Sequence, residues 1–267
     1  MNSDAHMDQA AMPAGTADDR TRLSAERGRA GADVRPFSRD DAGAPPSLFP
    51  DYRSTVLRAP ALAPIRVPQT LTETTGPGGA WDRLMGSSLA DMTAQHAAAP
   101  LGQRIVVSGR VLDEDGRPVP DTVMEIWQAN AAGRYVHVRD QWDAPLDPNF
   151  TGAGRVVTDA DGRYRFVTVR PGAYPWGNHH NAWRPAHIHL SLLGPAFATR
   201  LVTQLYFPDD PLIEIDPIAN AVPMPYRQRL ISRFDMATTV PNWALGYLFD
   251  VVLKGREQTP FEDGHHD

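Results

Sequence analysis

The chain has 267 residues, 42% of them hydrophobic, which fits one large domain or two small ones and excludes a wholly disordered or collagen-like chain. With 26 Lys and Arg against 32 Asp and Glu the formal net charge is -6, so no basic excess points to nucleic acid or to an anionic membrane surface. Cysteine is absent, which excludes disulfides, iron–sulfur clusters, thiolate zinc sites and cysteine nucleophiles, and leaves any metal to His, Tyr, Asp or Glu.

No stretch approaches the roughly 18 apolar residues of a membrane span, and the N-terminus lacks a basic-then-apolar signal pattern, so the cytoplasm is the expected compartment. Residues 1–44 carry scattered apolar residues in neither a helical nor a strand period and read as a flexible or partner-wrapping tail. Pro45, Pro46, Pro50, Pro60, Pro64 and Pro68 then favour an extended arm, which continues as a linker to residue 102. A β signature begins near Gln103 with IVVSGRVL running into Asp113-Glu114-Asp115-Gly116. It recurs at Val123–Ala129, Arg155–Thr158, Tyr164–Val169, Ala186–Leu193, Thr199–Phe207 and Ala244–Leu253, mostly closed by Asp, Gly or Pro turns. One helix is expected over Pro225–Phe234, with proline in the first turn and Leu230, Ile231 and Phe234 on one face. The fold class is therefore all-β, an antiparallel β-sandwich over residues 103–262, with an extended N-terminal arm, a short helix and a polar tail over 263–267.

His187-Ile188-His189 lies inside a predicted strand, so both imidazoles project to one face while Ile188 enters the other. The pair is either a bidentate metal platform or two histidines on a polar face. His179 and His180 occupy an Asn- and Gly-rich loop, His265 and His266 a polar tail, and His6, His96 and His137 have no supporting spacing. Most carboxylates stand in turns such as DEDG and DADG, where Asp bonds the local backbone, so a two-histidine, one-carboxylate ferrous site is not written here. Tyr174, between Pro171-Gly172 and Pro175-Trp176, and Tyr135, after the Ala131–Arg134 turn, are either rigidly held phenols beside a metal or structural tyrosines. Arg184, held extended by Pro185, either binds an anion near the histidines or pairs with a surface carboxylate.

The runs EIWQANAAGRY (125–135), PLDPNFTGAGRVVTDADGRYRF (145–166), RPGAYPW (170–176), WRPAHIHL (183–190) and TQLYFPDDPLI (203–213) closely resemble the intradiol ring-cleaving dioxygenases, over about 50–262. The resemblance is to the iron-bearing β type of that family and implies one non-haem Fe(III) per chain, with Tyr174 and His189 axial and Tyr135 and His187 equatorial. Two phenolates and a hydroxide would then balance three positive charges, as a bound cation favours the ionised form of its ligands. The implied substrates are protocatechuate (3,4-dihydroxybenzoate) and O2, the product is 3-carboxy-cis,cis-muconate, and the setting is aromatic catabolism by the β-ketoadipate route. By the same resemblance the catechol displaces Tyr174, Arg184 stabilises negative charge on the substrate ring, and Gln204 orients the arginine. Trp176 and Ile218 wall the pocket, Trp127 stands either near the site or in the core, and Tyr52 meets the substrate carboxylate.

The implied partner is a homologous α subunit that lacks the iron ligands, joined to this chain in αβ pairs of a larger hetero-oligomer. Relatives acting on catechol or hydroxyquinol carry a helical N-terminal dimerisation region, and nothing before Gln103 looks like one. The fold implied is prealbumin-like, and a non-catalytic prealbumin-like binding module is the rival reading. That reading leaves WRPAHIH, Tyr135 and the Arg184/Gln204 pair without a role, while a zinc hydrolase built on the H-x-H lacks a third ligand with a base nearby. Two departures from the family pattern are the longer tail before residue 45 and the His179-His180 pair.

Overall fold

A computed structural model describes residues 43–62, 89–178, 180–181, 183–194, 197–253 and 255–260, the side chains of 197–200 apart. The expected tail over 1–44 falls almost entirely outside these residues, as do the tail 263–267 and His6, His179, His265 and His266.

In chain order, helix α1 (Arg53–Arg58) precedes β1 (Arg104–Leu112), β2 (Val123–Trp127), β3 (Ala153–Val157), β4 (Arg163–Val169), β5 (Tyr174–Pro175), β6 (Trp183–Arg184), β7 (His187–Gly194) and β8 (Phe197–Tyr206). A 3₁₀ turn (Pro211–Glu214), helices α2 (Pro217–Ala221) and α3 (Met224–Arg227) and a second 3₁₀ turn (Gln228–Leu230) lead to β9 (Arg233–Phe234), β10 (Leu245–Leu248) and β11 (Val251–Val252). The chain is thus mostly strands with few helices, and among the described residues no helix is long and apolar enough to cross a membrane.

The two-residue alternation read in the sequence builds the core. Ile105, Val107 and Val111 of β1 are fully buried in the main apolar cluster, while Val106 turns to the opposite face beside Val167 and Ala244. Across β1 the antiparallel β4 sets Phe166 opposite Val107 and Tyr164 opposite Gly109. The second sheet, in order β3-β2-β7-β8, sends Met124, Ile126, Ile188, Leu190, Leu192, Leu201 and Leu205 into the same cluster. Burying that many aliphatic and aromatic side chains, each about 1.5–3 kcal/mol, is the main force joining the two sheets. Met92, fully buried, joins them from the segment before β1, and Leu89 bonds the β3 backbone at Arg155.

Three expectations are corrected. The sheet containing β1 is mixed: β4 runs antiparallel to β1, but β10 and β11 run parallel to it. Strands so far apart in sequence are not bound to hairpin geometry, and the long return through α2 and α3 brings β10 back in the direction of β1. Ala244–Leu253 is two strands rather than one, interrupted at Phe249-Asp250, where the Phe249 carbonyl comes so close to β1 that a Cβ on Gly109 would lie 1.9 Å from it and only glycine fits. The helix expected over Pro225–Phe234 stops early. Leu230 and Ile231 pack with Tyr206, Ala219 and Val222, but Phe234 pairs as a strand with Tyr247 of β10, where sheet hydrogen bonds replace helical ones.

The arm is also more than extended chain. Nine residues separate Pro50 from Pro60, and within them α1 forms, pinned by the buried Thr55 hydroxyl, which donates to the Phe49 and Tyr52 carbonyls and accepts from the Phe49 N–H.

Tyr164 offers a test of the core. Its hydroxyl donates to the Phe249 carbonyl, and burial, with Asp250 nearby, holds its pKa well above the usual phenol value. A group with a raised folded-state pKa stabilises fully below its unfolded pKa, about 10, and loses that contribution as pH rises toward the folded value. Stability of the protein is therefore expected to fall above about pH 10. Tyr164→Phe, which cannot ionise, should show a shallower alkaline fall in urea unfolding; an unchanged slope would rule out this origin.

Candidate metal centre and substrate pocket

The alternation that buries Ile188, Leu190 and Leu192 turns His187 and His189 to the other face of the β2-β7-β8 sheet. Register supplies their neighbours. Tyr206 lies opposite His187, Gln204 opposite His189 on one side, and Trp127 opposite His189 on the other. The Trp127 and His189 rings stack with centroids 4.8 Å apart and planes 4° from parallel, so Trp127 belongs to the site face rather than to the core.

Two phenols are brought to the histidines from outside the sheet. The β5–β6 ribbon pairs Tyr174 with Arg184, and the Tyr174 hydroxyl lies 3.4 Å from His187 Nε2. Tyr135 follows a turn in which Asn130 Oδ1 accepts from the Ala132 and Arg134 N–H groups, both at 2.9 Å. Gly133 in that turn has φ 82°, and a Cβ there would lie 2.3 Å from the Ala173 carbonyl oxygen, so glycine lets the turn close against the residue before Tyr174. The Tyr135 N–H donates to Asp140 Oδ2 at 2.7 Å, fixing where the phenol begins. The four rings form a closed cycle of neighbours: Tyr135 to Tyr174 at 5.3 Å, Tyr174 to His187 at 5.5 Å, His187 to His189 at 4.8 Å and His189 to Tyr135 at 6.4 Å between centroids.

The electrostatics suit ligation. His187 Nδ1 lies 2.7 Å from the Pro185 carbonyl, which can only accept, so Nδ1 carries the proton and Nε2 presents its lone pair. Burial, then Arg184 and His189, hold the His187 pKa well below the usual imidazole value and keep the ring neutral. A backbone carbonyl on the non-ligating nitrogen is the usual orienting partner of a metal-bound histidine. Burial raises the Tyr174 pKa, opposed by the Arg184 charge and by hydrogen bonds with Tyr135 and Arg184, so a bound cation is what would ionise it. Among the described residues no group of three or more His, Cys, Asp or Glu gathers as a metal site, so a metal here depends on the phenols. Two phenols with two imidazoles, and no thiolate, fit a hard ferric ion.

Arg184 is almost fully buried on the same side. Its Nη2 donates to Gln204 Oε1 at 2.7 Å, to the Tyr206 hydroxyl at 3.1 Å and to Asp216 Oδ2 at 2.9 Å, and its Nη1 lies 3.1 Å from His187 Nε2. Burial alone would lower its pKa, but Asp216 outweighs that, and the guanidinium stays charged. The partner is therefore a buried carboxylate, not a surface one. Asp216 and Tyr206 were not foreseen as site residues. Tyr206 stands two residues after Gln204 in TQLYF and could have been found by strand period, whereas Asp216 opens α2 and carries the same local signature as an ordinary helix cap.

A narrow pocket adjoins this network, lined by Gln204, Tyr206 and Ile218 and by Tyr52, Thr55 and Arg58 of the arm. Trp176 connects the two: its ring lies 5.8 Å from Arg184 Cζ and meets Tyr52 edge-on at 5.9 Å. The start of α1 is tied to this loop, since Asn178 accepts from the N–H groups of Arg53 and Ser54. The structure thus brings Tyr52, Trp127, Tyr135, Tyr174, Trp176, Arg184, His187, His189, Gln204 and Ile218 into one connected neighbourhood, while His96, His137 and His180 are exposed surface residues.

A sheet face lined by phenols and imidazoles and backed by a buried arginine is an arrangement that could hold a metal ion beside a charge-stabilising group. Residues 78–255 match the family model described as Dioxygenase, and the chain belongs to that family, the intradiol ring-cleaving dioxygenases. Residues 37–70 further match the model described as Protocatechuate 3,4-dioxygenase beta subunit N terminal. Over 227 residues, 84% of this chain and 96% of the relative, the sequence is 58% identical to the protocatechuate 3,4-dioxygenase beta chain of Burkholderia cepacia. It is 32% identical over 203 residues, 73% of this chain and 97% of the relative, to the protocatechuate 3,4-dioxygenase alpha chain of the same organism. The hydroxyquinol 1,2-dioxygenase of Rhizobium sp. (strain MTP-10005) is 37% identical over 130 residues, which is 44% of this chain and 42% of that one.

Proposed function

We propose that this chain is the iron-bearing β subunit of an enzyme that opens the protocatechuate ring between its two hydroxyl-bearing carbons, inserting both atoms of O2 to form 3-carboxy-cis,cis-muconate. The observation that carries the reading is the closed cycle of Tyr135, Tyr174, His187 and His189 with the buried Arg184 beside it. Those four residues would hold one non-haem Fe(III) per chain. Bound there, the ion supplies Lewis acidity and a template for the catecholate without an outside reductant.

The chain's own residues do the rest. Tyr174 Oη, as the phenolate, would accept a substrate hydroxyl proton, and the burial that raises its pKa makes it the stronger base for that transfer. Arg184, charged and preorganised, faces negative charge developing on the ring, with Gln204 Oε1 holding one of its nitrogens in place. Trp127 keeps the His189 ring in its orientation by stacking. Trp176 and Ile218 wall the pocket, and Tyr52, at the arm side of the cavity, meets the substrate carboxylate. The beta-subunit match over 37–70 and the near-complete coverage of the beta-chain relative favour protocatechuate over catechol or hydroxyquinol, since the hydroxyquinol-cleaving relative aligns with less than half of this chain.

In this reading the strands form a prealbumin-like sandwich over 103–262, preceded by a tail over 1–44 and an arm and linker over 45–102 and followed by a polar tail over 263–267. The partner is a homologous α chain, joined in αβ pairs of a larger assembly, and the compartment is the cytoplasm.

The test is a visible spectrum of the chain co-expressed with its α partner, before and after anaerobic protocatechuate. A tyrosinate-to-iron charge-transfer band that shifts on adding substrate is expected. A colourless protein despite supplied iron would remove the enzyme reading and leave a binding module. Tyr174→Phe is expected to retain iron, because the proposed reaction already requires the site to hold the ion while Tyr174 takes up the substrate proton, but to slow substrate binding and turnover by about 100-fold to 10,000-fold, the range of one acid–base group. Stopped-flow absorbance checks both, and unchanged rates would remove the role given to Tyr174.

A further inference from the structure

We infer that Asp216 is a positioning residue for the reaction: it clamps one edge of the Arg184 guanidinium and so aims the other edge at the ring-cleavage site, without touching substrate itself. The inference rests on the function proposed above. Asp216 is fully buried, and its two oxygens engage the same edge of the arginine, Oδ1 to Nε at 3.3 Å and Oδ2 to Nη2 at 2.9 Å. A two-point contact with a planar guanidinium fixes its plane as well as its position. The nitrogen left outside the clamp, Nη1, is the one that lies 3.1 Å from His187 Nε2. The ion pair is therefore an oriented dipole, carboxylate behind and cationic edge toward the metal cluster, preorganised before substrate arrives.

Asp216 is itself held firmly. Its N–H donates to the Leu212 carbonyl at 3.0 Å, its carbonyl accepts from the Asn220 N–H at 2.9 Å, and Oδ1 accepts from the Ile218 N–H at 3.3 Å. The short helix that carries the clamp also carries Ile218, a wall of the pocket. One element thus sets both the arginine and the pocket wall. A buried arginine could have been neutralised by any carboxylate, but a surface one would leave the guanidinium plane free to turn. Misplacement of a catalytic group by about 1 Å can cost about 100-fold in rate.

The test uses the iron-loaded αβ enzyme. Asp216→Asn keeps the volume and the helix-capping oxygen but removes the charge and one acceptor. Expected is a fall in kcat of about 10-fold to 100-fold, with the iron colour retained and the anaerobic affinity for protocatechuate within about threefold of the parent, the clamp acting on the transition state rather than on binding. The same change made in an Arg184→Met background should cost less than about twofold more, because residues acting through one another are not additive. If Asp216→Asn does not fold, Asp216→Glu carries the test: the charge stays but the clamp moves by one methylene, and kcat should again fall with colour intact. Undiminished kcat in the folded variant, or an equal fall in both backgrounds, overturns the role of Asp216 while leaving the enzyme reading standing. No ring cleavage by the parent enzyme would overturn that reading instead.

Discussion

Arg184→Met in the iron-loaded αβ enzyme is expected to lose about 100-fold to 1,000-fold in kcat, the cost of deleting one preorganised charge-stabilising donor. The same change should destabilise the protein by about 3–5 kcal/mol, because a buried carboxylate is left without its cation. Both effects have one origin. Arg184 and Asp216 are 2% and 0% exposed, so neither water nor salt can replace the missing partner. Adding Asp216→Asn should recover much of the stability, since removing the stranded charge relieves the penalty, but none of the activity. Urea unfolding and steady-state kinetics on the three variants separate the two quantities. Recovery of activity in the double variant would show that the arginine has no part in the chemistry.

Replacing His187 by Ala is expected to abolish both iron retention and ring cleavage. Its imidazole is neutral, with Nδ1 committed to the Pro185 carbonyl and Nε2 facing the Tyr174 hydroxyl, so no other orientation is open to it. Loss of even an orienting partner of a ligand typically costs about 10-fold to 100-fold in metal affinity, and loss of the ligand itself should exceed that. The fold should survive, because the side chain lies on the face of β7 opposite Ile188, Leu190 and Leu192. Iron content by elemental analysis, beside the visible band and the circular dichroism of the strands, is the measurement. Full iron content with the band intact would remove His187 from the ligand set.

Much of the site was legible in the chain because strand geometry is local. His187 and His189 are two apart, so their common face followed from the pleat alone, and Gln204 and Tyr206 obey the same rule one strand away. Tyr135 and Tyr174 could be singled out by the rigid turns around them, though not brought to the histidines, since they come from separate loops. The strands themselves were largely where alternation put them. The misreadings share a cause: pairing with distant strands decided that Phe234, expected in a helix, runs as a strand beside β10, and that the Ala244–Leu253 run, expected as one strand, lies along β1 as two parallel strands.

What the sequence determined by itself is whatever depends on neighbours along the chain: the all-β character, the shared face of the two histidines, the turn at Gly133 and, by resemblance, the chemistry expected of them. Tertiary structure alone decided what depends on distant segments meeting. It placed Asp216 behind Arg184, laid the arm with Tyr52 over the pocket, and ran β10 and β11 parallel to β1. An aspartate that caps a helix and an aspartate that clamps a buried arginine look the same in one dimension. Only exclusion of water and the approach of β6 distinguish them.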